Sequence, residues 1–142
     1  MGALDIIVID YLQLMTLGKA ERNDIAIGDI TRNLKKMAKE FDCTIVLLSQ
    51  LNRSVDNRPN KRPVMADLKE SSAIEQDADV IFFLYRDEVY NPQSEQKGIC
   101  EIITAKQRNG ETGIDRVLFE GQYQRFSNHS RDYRDYSKEG IK

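Results

Sequence analysis

Three short stretches place polar and charged side chains where chemistry can be done. Asp10 ends the apolar run Ile6-Ile7-Val8-Ile9. Ligands in open α/β sheets bind beyond the carboxyl ends of the strands. A carboxylate at that point can hold Mg²⁺ through water, or it can do the plainer work of capping a loop or helix. Ser49-Gln50 follows a second apolar run, Thr44-Ile45-Val46-Leu47-Leu48. A Gln there could hydrogen-bond a terminal phosphate or orient an attacking water, or simply satisfy backbone groups in a turn. Lys106 and Arg108 lie two residues apart in a turn, Lys106-Gln107-Arg108-Asn109-Gly110-Glu111-Thr112. Projecting together from a hairpin tip, they could reach a neighbouring molecule's site, where the Arg108 fork would stabilise charge on a transferring phosphoryl group. A solvated surface turn is the alternative.

Residues 50–66 form a long polar loop with Pro59 and Pro63. It carries Arg53, Arg58, Lys61 and Arg62, with Lys69 just beyond. Such a loop could track a phosphate backbone, or serve only solubility. It contains no aromatic residue, so base stacking is not its mode. Phosphate cradling requires Gly-x-x-x-x-Gly-Lys-Ser/Thr. The only Gly-Lys pair is Gly18-Lys19, followed by Ala20, and Gln13 stands where the first Gly should be. The 142 residues contain no phosphate-binding loop.

These residues need a scaffold, and the apolar pattern supplies one. Residues 5–10 and 44–49 read as strands apolar on both faces, as in the middle of a parallel sheet. Between them, a helix over 24–41, capped by Asn23 or Asp24, lines up Ile27, Ile30, Leu34, Met37, Ala38 and Phe41. That makes a right-handed βαβ unit. A chain opening inside a core strand implies a β-α unit upstream. After the basic loop, Ser72 and Glu75 are spaced as a capping box for a short helix. Residues 80–85 read as a third buried strand and 86–98 as another loop. Residues 101–105 and 114–119 read as a hairpin around Asn109-Gly110. The class is α/β, parallel strands first and an antiparallel hairpin at the edge. Residues 1–128 form the folded portion and 129–142 a polar, mobile tail.

Composition narrows the function. Hydrophobic residues make up 40% and charged residues 31%, with a net charge of −2. Nucleic-acid binding must therefore come from local basic loops and not a global field. No stretch is apolar enough to cross a bilayer and no signal peptide is visible; the expected localisation, cytoplasmic, suits unpaired thiols in a reducing cytosol. Cys43 and Cys100 read as reduced core thiols. Two separated cysteines and one histidine cannot make a zinc site.

Together these segments closely resemble the DnaB family of replicative helicases. The matching stretches are Ile7-Val8-Ile9-Asp10-Tyr11-Leu12-Gln13-Leu14-Met15 and Leu48-Ser49-Gln50-Leu51-Asn52-Arg53. They continue through Lys61-Arg62-Pro63, Asp67-Leu68-Lys69-Glu70-Ser71, Ile74-Glu75-Gln76-Asp77-Ala78-Asp79, Tyr85-Arg86-Asp87-Glu88 and Lys106-Gln107-Arg108-Asn109-Gly110. The resemblance implies a RecA-like P-loop NTPase fold, here the C-terminal part from the Walker B strand onward. It implies an ATP-driven, Mg²⁺-dependent homo-hexamer that translocates on single-stranded DNA, with primase and a helicase loader as partners. Asp10 matches the Walker B aspartate and Gln50 the phosphate-sensing glutamine. Lys106 and Arg108 match the basic pair inserted into the next subunit's ATP site. Lys69, Glu70 and Ser72 fall in a matching loop that holds single-stranded DNA, and the charge of the basic loop adds Arg53 and Arg62 as expected DNA contacts. Lys69 replaces the usual Arg, keeping charge but losing the bidentate fork, and Ser72 replaces the usual Gly. The family's Walker A loop, catalytic glutamate and primase-binding scaffold lie upstream of the matching stretches, so this chain alone is expected to be inactive toward ATP. A recombinase-type or clock-type ATPase fits the Lys106–Gly110 turn and the Ile74–Asp79 segment poorly. A RecA-like piece that only binds partners is the rival from another class.

Overall fold

In the computed structural model, residues 4–16, 23–68 and 71–129 are described. Residues 17–22, Lys69, Glu70 and most of the expected tail, from 130 onward, lie outside the described residues. The chain forms two compact units. One takes residues up to Arg58 together with Val64–Asp79, and the other takes Pro59–Pro63 and everything from Val80.

The first unit is the expected βαβ motif. β1 (Ile6–Ile9) and β2 (Thr44–Leu47) pair in parallel, with Ile6 opposite Thr44 and Ile9 opposite Leu47. α1 (Asn23–Glu40) connects them. α2 (Ser71–Asp77) packs against the first half of α1, where the Thr31 hydroxyl donates to Asp77 at 2.6 Å and Lys35 pairs with Asp79. Ile27 and Thr31 are therefore buried, whereas Met37 and Phe41, further along the expected apolar face, are exposed. The strands are not covered on both sides. Ile6, Val8 and Val46 share one face and are exposed.

Loop 50–66 is more ordered than its composition suggests. Short 3-10 turns form at Arg53–Asn57 and Met65–Asp67. Its neck is closed by a bridge between Leu51 and Leu68 and by the Asn52 N–H donating to the Asp67 carbonyl at 2.7 Å. α2 starts at Ser71, so Ser72 lies inside the helix and is not its N-cap.

The second unit is an antiparallel sheet in the order β3-β4-β5-β6. Its strands are β3 (Val80–Tyr85), β4 (Ile99–Gln107), β5 (Gly113–Glu120) and β6 (Arg125–Asn128). β3 is thus an edge strand antiparallel to β4, not a third parallel strand. Its uninterrupted apolar run hides an alternation: Ile81, Phe83 and Tyr85 are buried, while Val80, Phe82 and Leu84 are exposed. Ile81 faces Lys106 and Phe82 faces Thr104, which leaves Ala105 as the extra residue of a β-bulge. A four-residue helix, α3 (Asp87–Tyr90), sits within the expected loop 86–98. β6 lacks an apolar run and is held by pairing with β5 and by Phe126 packing on Phe119 at 4.8 Å. Both cysteines are free thiols, Cys100 buried and Cys43 half-buried.

Candidate functional site

Parallel pairing brings Asp10 and Ser49-Gln50 to the same carboxyl edge of β1 and β2. The Leu48 N–H donates to the Ile9 carbonyl at 3.0 Å, and the Leu12 N–H donates to the Leu48 carbonyl at 2.9 Å. The two chains therefore stay together just past the strand ends, and Leu12, fully buried, anchors the turn. Gln13 then bridges the edge. Its amide nitrogen donates to the Ser49 hydroxyl at 3.1 Å and its oxygen accepts from the Gln50 N–H at 3.2 Å. An amide is suited to this because it donates and accepts at once. The Asp10–Tyr11 peptide bond is cis. Asp10 and Gln50 themselves are exposed. Gln13 is the residue that sequence reasoning missed, because its partners lie 36 and 37 positions away.

This donor set fits Mg²⁺ held with a nucleotide. Among the described residues no group of three or more His, Cys, Asp or Glu side chains could hold a metal. Mg²⁺ commonly takes one or two protein carboxylates and completes its shell with water and phosphate oxygens, and Asp10 suits that arrangement.

The basic pair is placed differently from the expectation. β4 continues through Gln107, so Lys106 is a half-buried strand residue opposite Ile81 and not part of the turn. The Ala105 bulge is the cause: it lets the ladder run on until Gln107 meets Val80. Arg108 is the first residue beyond the strand and is exposed.

The basic loop also divides. Arg53 is exposed, and Ser72 is exposed on α2. Arg58 donates to Asp67 at 2.6 Å, a carboxylate only 2% exposed that also accepts from the Val64 N–H at 2.8 Å. Arg62 grips Glu101, its Nε donating at 2.7 Å and a terminal nitrogen at 3.0 Å. Its guanidinium lies over the Tyr85 ring, 4.8 Å from the centroid. The bond to Glu101 raises the Arg62 pKa further. Burial, and then the hydrogen bond to Asp87, push Tyr85 up to about 12. Hydrogen bonds from Ser94 and Tyr85 hold the Asp87 carboxyl below its ordinary value.

Comparison with known proteins shows the family. The sequence profile of the DnaB-like helicase C terminal domain matches residues 1–128. The chain is 54% identical over 137 residues to a replicative DNA helicase DnaB of Pasteurella multocida (strain Pm70), covering 94% of this chain and 29% of that protein. A DnaB of Geobacillus stearothermophilus is 48% identical over 134 residues, with 93% and 30% covered. The chain thus spans less than a third of the length of these relatives. Among solved structures, one ATPase domain superposes with a TM-score of 0.83 at 46% identity, covering 88% of this chain and 44% of that one. A DnaB-like replicative helicase studied for its interactions with primase gives 0.84 at 46% identity, covering 88% and 30%. With its α/β architecture and a profile match over most of its length, the chain belongs to the DnaB-like helicase C-terminal domain family.

Proposed function

We propose that the gene product carrying this chain is an ATP-driven hexameric helicase that moves along single-stranded DNA and separates duplex at replication forks. The observation that carries the reading is the shared carboxyl edge of β1 and β2, where Asp10 and Gln50 stand exposed and the Gln13 side chain ties the segment after Asp10 to Ser49 and Gln50. Asp10 orders Mg²⁺, and Gln50 hydrogen-bonds the terminal phosphate of ATP. Mg²⁺, when bound, offsets charge on the phosphates. Lys106 and Arg108 of one subunit complete the next subunit's site. Arg53, Lys69, Glu70 and Ser72 are the residues that bind single-stranded DNA. Family membership supports a homo-hexamer working in the cytoplasm with a loader. The similar structure described with primase supports primase as a partner. No described helix is long and apolar enough to cross a membrane.

A second reading is a module that only binds partners. The chain alone should show no ATP turnover above a buffer blank under either reading, so the full gene product decides. There Arg108→Ala should lower turnover by roughly 10³–10⁵ while nucleotide binding falls far less, because the finger acts on charge that develops in the transition state. Mixing it with a variant lacking the Walker A lysine should restore part of the activity, since some interfaces then pair an intact site with an intact Arg108. Full activity of Arg108→Ala would refute the helicase assignment. Loss of activity with no recovery in mixed rings of confirmed mass would refute action in the neighbour's site.

A further inference from the structure

Glu101 is a carboxylate in the middle of β4, and it is only 2% exposed. A charge so placed is costly unless paired with good geometry. The register supplies part of the answer. Tyr85 on β3, Glu101 on β4 and Arg116 on β5 are direct cross-strand partners, one row across the sheet. Arg116 reaches Glu101 at 3.5 Å. The stronger partner comes from outside the sheet: Arg62 lies over this row, with both arms of its fork on Glu101 and its flat face on the Tyr85 ring. Pro63 follows and is buried. Recognising a phosphate takes the same fork, so an arginine whose fork is spent on a buried carboxylate is poorly placed to hold DNA.

The clamp shares a strand and a face with Lys106. Glu101 faces Tyr85, Ile103 faces Phe83 and, across the bulge, Lys106 faces Ile81. Tyr85, Phe83 and Ile81 form the buried side of β3, so Glu101, Ile103 and Lys106 lie on one side of β4. Without the extra residue, Lys106 would fall on the opposite side.

We infer that Arg62 is a positioning residue, not a DNA contact: it docks the Pro59–Pro63 segment of the basic loop on β4 through Glu101, and so sets how strongly single-stranded DNA accelerates hydrolysis through Lys106 and Arg108 at the end of that strand. The inference rests on the helicase reading above. It changes the role that the charge of the basic loop suggests for Arg62, and it makes Glu101, which no motif singles out, part of the same device.

The test measures turnover in the full gene product with and without single-stranded DNA, using confirmed hexamers. Arg62→Lys keeps the charge and loses the fork. Glu101→Gln keeps the shape and turns an amide donor toward the guanidinium. A phosphate contact would tolerate the first and ignore the second. A positioning clamp is damaged by both. Each should lower the ratio of DNA-stimulated to unstimulated turnover by about threefold to thirtyfold, the range for residues that carry coupling between sites. The double variant should lose little more than either single one. A uniform loss of folded protein lowers both rates and leaves the ratio unmoved. Arg62→Lys or Glu101→Gln with an unchanged ratio would overturn the inference. Arg108→Ala, run in parallel, keeps the two questions apart: its loss of turnover beside unaltered Arg62→Lys would leave the helicase reading standing and this one refuted. A full product that DNA does not stimulate at all would overturn the inference, whatever Arg108→Ala does.

Discussion

The carboxyl edge of β1 and β2 and the Tyr85–Glu101–Arg116 row treat their polar groups in opposite ways. At the edge, Asp10 and Gln50 are left to solvent, and the connecting hydrogen bonds are made by Gln13 and the backbone. In the row, the carboxylate is buried and met by two arginines. An exposed carboxylate keeps its hydration and costs the fold little, so it can wait for a ligand. A buried one must be paired within the protein. The contrast extends to the basic loop, where Arg58 and Arg62 are committed to Asp67 and Glu101 while Arg53 points to solvent. Counting lysines and arginines along the loop therefore overstates the positive charge that a DNA strand would meet.

Breaking each region should separate activity from stability. Between these two regions, the larger effect on turnover is expected at Asp10. In the full gene product Asp10→Asn should cut hydrolysis on the order of 10²–10³, as loss of one preorganised electrostatic group does. Its urea midpoint should correspond to a stability within about 0.5 kcal/mol of the parent, as for other exposed substitutions. A large stability loss at Asp10, or retained turnover, would erase the contrast.

Glu101→Ala is the mirror experiment. It leaves Arg62 and Arg116 without their buried partner and should cost about 3 kcal/mol, the lower end for a broken buried pair, because Arg62 is itself 35% exposed. Urea unfolding followed by circular dichroism measures this. A cost below that of the Asp10 variant would show that the row is not structural.

Arg53 and Arg58 sharpen the comparison within the loop. Arg53→Ala should lower the slope of log affinity for single-stranded DNA against log salt by about 0.7, the value for one phosphate contact on a single strand. Arg58→Ala should leave that slope unchanged and lower the urea midpoint instead. Equal slopes for the two variants would mean that inward pairing does not decide which arginine meets DNA.

The smallest effect is an acid shoulder in the second unit. The Arg86 side chain and the Gly98 N–H hold the Glu88 carboxyl below its ordinary range. A carboxylate held down in the folded state stabilises fully above its unfolded value of about 4.3, and that contribution is lost as pH falls. Glu88→Gln should therefore flatten stability against pH below about pH 4.3 and change nothing in shape near neutrality. An unchanged acid limb would remove Glu88 from the account.

Much of this architecture was legible in the residues themselves. The βαβ unit was written in two β-branched runs around an amphipathic helix, and the β4–β5 hairpin in Asn109-Gly110 between apolar runs. Both signals are local, set by side-chain period and turn chemistry over a few neighbours. The placement of Asp10 and Gln50 shortly beyond the two strands was legible for the same reason.

What tertiary structure alone decided depends on partners far apart in sequence. A six-residue apolar run, Val80–Tyr85, does not say whether its neighbours are parallel or antiparallel, and β4 settled that. β6 carries no apolar run, and its strand identity comes from β5. The single-residue bulge at Ala105 moved Lys106 from the turn into the strand. Most of all, the sign of a side chain does not reveal where its countercharge lies. Arg62 and Glu101 are 39 positions apart, and Gln13 and Ser49 are 36. Only when the chain folds do distant groups come within hydrogen-bond reach, and there burial makes their pairing obligatory.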